Sequence, residues 1–270
     1  MSPLLDFSQS GQHILSIRLS ANGFSFSVCQ SDSHQEPYYR QFKINPLHSM
    51  AANLKRFLQA TTELQHPYKR VEIFFKTKRY TTLPLQYYED DSAETLFYQN
   101  LPKENNEHVI CNILQGTNIV VLFSIDKLSY LYLSEYFPNA RFMASVSPQV
   151  ECLMTKVRTL HKRLYVNVEA TNMEVYCLQE GRLLLLNTYD TQHHTDRVYY
   201  ILQLWQSLQL SQTADELCLV GEPAIVEELS TYFSDYIKHV NKFQLHEALG
   251  KEKAYEVNLP FDLQTLLACE

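Results

Sequence analysis

One order of periodicities is written twice in this chain, and the repetition narrows the possible folds more than any single motif does. In the first copy, residues 14–20 place Ile14, Leu15, Ile17 and Leu19 on an apolar side. Asn22-Gly23 comes next, and then Phe24, Phe26 and Val28 alternate with Ser25, Ser27 and Cys29. Two alternating runs around Asn-Gly form a hairpin signal. A third strand is expected at 38–44. Next comes a helical stripe of Leu47, Met50, Ala51, Leu54, Phe57 and Leu58, and then an apolar strand at 71–75. The second copy reads strand 163–169, strand 172–178, strand 182–189, a helix through Val198, Ile201, Leu202, Trp205 and Leu208, and strand 216–220. A last stripe, Ile225, Leu229, Phe233, Tyr236, Ile237 and Val240, predicts one more helix.

A constant offset of 149 residues overlays the copies, with Ile17 on Val166, Leu19 on Val168, Phe24 on Met173 and Phe26 on Val175. A duplicated α/β chain of βββαβα units is the economical explanation. The first domain is expected to span 1–160 and the second 161–270. Strand 118–124, helix 127–137, strand 141–146 and a helix through Val150, Leu153 and Val157 complete the first. Residues 80–114 interrupt the repeat as a small inserted subdomain with Leu83-Pro84-Leu85, an acidic run, a helix and a strand. Each half is expected to carry a five-stranded mixed sheet that opens with a three-strand meander.

Composition then removes whole classes of function. Six glycines in 270 residues is far below the roughly 7% of average usage, about 19, and all six stand apart. Phosphate-cradling loops need clustered glycines, so ordinary nucleotide chemistry is disfavoured. A net charge of -7 argues against gripping a nucleic-acid backbone. The cluster Lys156, Arg158, His161, Lys162 and Arg163 reads as cations at a helix end. Met1–Gln12 has no basic stretch leading into an apolar core, and no apolar run approaches the ~18 residues of a membrane span. The six cysteines show no C-x-x-C spacing; Cys29, Cys111, Cys177 and Cys218 fall in apolar strands, as buried free thiols do. A cytoplasmic protein is expected.

A βββαβα unit used twice, with an insertion in the first copy and Leu83-Pro84-Leu85 after the fourth strand, resembles the actin-like ATPase superfamily that includes actin and sugar kinases. It is most similar to the cytoplasmic actin-like proteins of type IV pilus and type II secretion assembly, and to an uncharacterised bacterial family of that fold. The resemblance implies two ribonuclease H-like/actin-like domains. Its motifs are missing, however. The first phosphate loop, Asp-hydrophobic-Gly-Ser/Thr, falls on Arg18, Leu19, Ser20 and Ala21. The second, Asp-hydrophobic-Gly-Gly, falls on Asn167, Val168, Glu169 and Ala170. Of the adenosine Gly-Gly pair, Val220-Gly221-Glu222-Pro223 keeps one glycine. The acids that hold the metal's water shell are absent, and Glu169 would repel a phosphate.

These absences imply a pseudo-ATPase without catalytic residues, metal or cofactor, acting as an interaction scaffold for protein partners at a membrane-associated assembly. No nucleic-acid partner and no insertion into a membrane are expected. The competing readings are a divergent nucleotide-binding switch and a small-ligand sensor using the interdomain cleft. The docking candidates are Tyr87, Tyr88, Glu89 and Asp90 of the insertion, where aromatic and acidic groups mix. His193-His194 between Asp190 and Asp196 reads as capping rather than a metal site. No G-x-S-x-G is present, and the first strand has no acid for ribonuclease H-type chemistry.

Overall fold

The alternation of Leu15, Ile17 and Leu19 with Ser16, Arg18 and Ser20 becomes strand β1 (His13–Ser20) in a computed structural model that describes residues 7–30, 37–157, 160–249 and 259–269. The two turn residues are Ala21-Asn22, one position before the expected Asn-Gly pair, with Gly23 already paired to Ser20 in β2 (Gly23–Gln30), and β3 (Tyr38–Phe42) completes an antiparallel meander. The apolar face of β1 and β2 buries Leu15, Ile17, Phe24, Phe26 and Val28. The helix α1 (Met50–Ala60) covers it with Phe57, whose ring lies 5.5 Å from those of Phe24 and Phe42. Each such side chain contributes roughly 1.5–3 kcal/mol through burial. Ser49 caps α1 by accepting from the Ala52 N–H. Leu47, counted in the stripe, lies before the helix and is 89% exposed. β4 (Arg70–Phe75) runs parallel to β1.

The insertion comes next as β5 (Tyr80–Pro84), α2 (Ala93–Asn100), β6 (Glu107–Leu114) and β7 (Ile119–Asp126). Its sheet has the order β5-β7-β6, so the small sheet includes a strand beyond Leu114 and has it at the centre. Phe97 of α2 is fully buried against Val120 and Leu122. Asp126 then caps α3 (Lys127–Tyr136), and β8 (Arg141–Ala144) adds a parallel fifth strand beside β4. The larger sheet therefore runs β3-β2-β1-β4-β8. Asn112 ties the two sheets together. Its side-chain amide donates to the Phe142 carbonyl at 2.9 Å and accepts from the Ala144 N–H at 3.0 Å, as the backbone of a sixth strand would.

The helix α4 (Val146–Lys156) begins a residue before Ser147-Pro148, so Pro148 sits inside the first turn, where helical N–H groups have no intrahelical acceptor. Next come β9 (Arg163–Val168), β10 (Asn172–Gln179), β11 (Arg182–Asp190), α5 (His194–Ser207), β12 (Glu216–Gly221) and α6 (Pro223–Phe233). The chain ends with β13 (His239–Lys242), α7 (Leu245–Ala248) and α8 (Phe261–Cys269). This second sheet runs β11-β10-β9-β12-β13, the same layout as the first. Ile17 and Val166 occupy equivalent places: both are fully buried, and Ile17 pairs with Phe26 and Ile73 where Val166 pairs with Val175 and Leu219. The last helix is shorter than its apolar spacing predicts. It stops at Phe233, Ile237 is reached by a turn that bonds back to the Phe233 carbonyl, and Val240 enters β13 beside β12.

The described residues form two compact units, one within Met1–Leu114 and Asn118–Ser147 with Leu259, the other within Gln115–Thr117, Pro148–Glu252 and Pro260–Glu270. No helix among the described residues is long and apolar enough to cross a membrane. Cys152, Cys177 and Cys218 are buried free thiols, and Cys29 and Cys111 are partly buried. Burial pushes the Cys29 and Cys177 thiols up to about 11. Residues 1–6 and Arg158, both used in the sequence expectations, lie outside the described residues. Lys162 serves the fold, its Nζ donating to the Leu208 carbonyl just past α5 at 2.9 Å.

Candidate functional site

The first phosphate-loop position is the tight turn between β1 and β2. Ser20 is buried there, and its hydroxyl donates to the Gly23 carbonyl at 2.8 Å and accepts from the Asn22 N–H at 3.3 Å. Its hydrogen-bonding capacity is used to close the hairpin. Arg18 is half-exposed and lies opposite Ser25 on β2 and Phe74 on β4. The same face of the sheet carries Ser16, Ser27 and Glu72, which are side by side in the register. Glu72 is an acid that a search of the first strand alone misses, because the parallel strand β4 supplies it. Its signal is a charged residue inside the otherwise apolar run of 71–75. It is 1% exposed and pairs with Arg70 at 3.1 Å. Burial pushes its carboxyl up, against the pull of Arg70 and Arg141.

The second position, on β9, is committed more completely. Asn167 is 4% exposed, and its amide donates to Glu174 Oε2 on β10 at 2.9 Å. Gln149 of α4 donates to the same oxygen at 3.0 Å, and the Tyr176 hydroxyl donates to Gln149 Oε1 at 2.8 Å. These four side chains form one buried network around a carboxylate. A metal-binding aspartate at residue 167 would set a second carboxylate against that of Glu174. An amide at this position is what Glu174 requires.

The turn after β9 is fixed from the other side of the chain. The Glu169 N–H donates to the Asn172 carbonyl at 2.9 Å. The buried Arg197 of α5 donates to the carbonyls of Glu169, Ala170 and Thr191 at 3.2, 2.8 and 3.3 Å. A phosphate-binding turn presents free N–H groups to an anion. This turn presents carbonyls to an arginine. Sequence spacing carries no warning of the contact, since Arg197 lies 28 residues from Glu169.

Gly221 has a packing reason of its own. Its φ is +114°, and a Cβ there would lie 2.1 Å from the Val168 carbonyl oxygen. The same carbonyl accepts the Glu222 N–H at 2.9 Å, so the end of β12 runs hard against β9. Glu222 is exposed at the N-cap of α6, ahead of Pro223.

The histidine pair belongs to a cap. Asp196 accepts from the backbone N–H groups of His193 and Gln192 at 2.9 and 3.1 Å, and these bonds hold its carboxyl below the usual range. His194 Nδ1 lies 3.2 Å from a carboxylate oxygen of Glu228. No metal-binding group of His, Cys, Asp or Glu occurs among the described residues. In the insertion, Tyr87 is 65% exposed, and Glu89 and Asp90 are exposed beside it. Tyr88 turns inward onto the Phe97 cluster, and burial pushes its hydroxyl well above the ordinary tyrosine range, with hydrogen bonds to Cys111 and Asp90 adding to the shift.

The family model described as a protein of unknown function, DUF3822, matches residues 3–240. The chain belongs to this family. A solved Bacteroides thetaiotaomicron protein, described as having an actin-like ATPase fold and unknown function, is 35% identical, with a TM-score of 0.85 over 99% of this chain and all of that one. The PilM-PilN type IV pilus biogenesis complex contains a chain 12% identical, with a TM-score of 0.59 over 95% of this chain and 98% of its own. No curated protein matches by sequence. The DUF3822 chain thus has the duplicated actin-like fold, and Ser20, Asn167, the Glu169 turn and Gly221 each have a structural role of their own.

Proposed function

We propose that this chain is a non-catalytic protein of actin-like fold that works as an interaction scaffold in the cytoplasm. One observation carries the reading. The position that supplies the second metal-binding acid in actin-like ATPases holds Asn167, which is locked into a buried network around Glu174. Phosphoryl transfer depends on charge neutralisation and positioning, and those acids provide the metal that does both. Arg197 on the turn carbonyls and the packing role of Gly221 support the same conclusion. A neighbour of the same fold, PilM, occurs in a two-protein complex of pilus biogenesis, and this supports a partner-binding role at a membrane-associated assembly. The exposed Tyr87, Glu89 and Asp90 of the insertion are the proposed contact.

Two measurements test the reading together. Phosphate release from Mg-ATP should not exceed the buffer blank. Affinity capture from the native cell should recover the same partners with and without Mg-ATP. Turnover above the blank, or partners that change with nucleotide, would favour a nucleotide switch instead.

A further inference from the structure

A surface helix carries polar and charged groups on the face turned away from the core. α6 buries Val226, Leu229 and Phe233, and one further turn buries Ile237, whose N–H donates to the Phe233 carbonyl at 2.8 Å. The exposed face of this segment holds Glu227, Glu228, Thr231, Tyr232, Asp235 and Tyr236. Three acids and two tyrosines stand there, and no lysine or arginine occurs from Pro223 to Tyr236.

The spacing sets the rings among the carboxylates. Glu228, Tyr232, Asp235 and Tyr236 follow at steps of four, three and one, which share one side of a helix. The Tyr232 and Tyr236 ring centroids lie 5.5 Å apart, with their planes inclined at 41°. Tyr232 is braced by the buried Phe233 at 5.2 Å and by His194 of α5 at 5.7 Å, so one ring is held in place. Tyr236 is 54% exposed beside it. Lys242 pairs with Glu227. Glu228 faces the His194 imidazole, and Asp235 has no ion-pair partner among the described residues.

Tyrosine is enriched in interface centres, and its ring face attracts a cation placed within about 6 Å of the centroid. Carboxylates without a matching cation beside the rings attract the same charge and disfavour an acidic partner. Arginine meets both demands. Its planar guanidinium stacks on a ring while its N–H groups fork onto a carboxylate, whereas the lysine ammonium is a compact, strongly hydrated point charge.

We propose that this face of α6 docks an arginine-bearing segment of another protein, with the guanidinium on the Tyr232 and Tyr236 rings and its N–H groups donating to Glu228 or Asp235. The contact uses residues of the second unit alone, and Tyr87 of the insertion is not needed for it.

NMR of ring-labelled tyrosine in the full chain tests this at low ionic strength. The probe is acetyl-Gly-Arg-Gly-Arg-Gly-amide, and the same peptide with citrulline for arginine is the uncharged control. The Tyr232 and Tyr236 ring signals should shift saturably with the arginine peptide, and the citrulline peptide should bind about tenfold more weakly. Tyr236→Ala and Glu228→Gln, both at exposed sites, should melt like the wild type and each weaken binding by about fivefold. Tyr87→Ala should leave the affinity unchanged. No saturable shift, equal binding of the citrulline peptide, or an affinity indifferent to either Tyr236→Ala or Glu228→Gln would overturn the proposal. So would loss of binding in Tyr87→Ala, which would place the arginine on the insertion instead.

Discussion

At the scale of single residues, positions where an ATPase would hold a ligand are here bonded to the protein's own groups. Asn167 gives the sharpest prediction. Asn167→Asp, the change that would rebuild the family's acid, should destabilise the second unit by about 3 kcal/mol, because it buries a carboxylate against that of Glu174. Chemical denaturation measures this. An Asn167→Asp protein as stable as the wild type would mean the network is looser than its distances imply. Gly221→Ala should cost at least about 3 kcal/mol, since the new Cβ meets backbone that cannot step aside and φ stays in the left-handed region. Tyr87 and Tyr88 should separate cleanly. Tyr87→Ala should leave the melting temperature within error and reduce partner capture, whereas Tyr88→Ala should lower stability by opening the Phe97 cluster.

At the scale of elements, the inserted sheet depends on two polar devices. Asn112 is one. Asn112→Ala strands the Phe142 carbonyl and the Ala144 N–H, and should cost about 2–3 kcal/mol, visible as faster amide exchange in β6 and β8. The other is Glu107, gripped by Arg79 through two nitrogens at 2.5 and 2.9 Å and by the Ser124 hydroxyl at 2.6 Å. Burial raises the Glu107 carboxyl, but these bonds outweigh it and hold the group below its ordinary value. A depressed folded pKa contributes stability that is present above the unfolded value and lost as pH falls through the folded one. The inserted sheet should therefore loosen first as pH drops below about 4, and Arg79→Ala should weaken that pH dependence, leaving the part due to Ser124 and the Glu104 N–H. Hydrogen exchange of β6 and β7 across that range checks both statements.

At the scale of the whole molecule, the repeat is legible because each strand and helix announces itself by local periodicity, and the 149-residue offset from Ile17 to Val166 survives in three dimensions. The features that escape the sequence depend on chain segments meeting. Glu72 reaches the face of Arg18 only through parallel pairing of β4 with β1. Arg197 reaches the Glu169 turn only when α5 packs on the sheet. Val240 continues a helical spacing, and no glycine or proline between Phe233 and Val240 marks the break, so its strand is invisible until β12 offers an edge. The candidate site shows the same division: the loss of the family's acids can be read directly, whereas the uses to which the replacements are put cannot.

With Asn167, Glu169 and Gly221 held by their own partners, no nucleotide site should remain. Calorimetric titration of the full chain with Mg-ATP decides this. Heats indistinguishable from dilution are expected at millimolar nucleotide. A saturable isotherm with a micromolar dissociation constant would show instead that the chain still binds nucleotide.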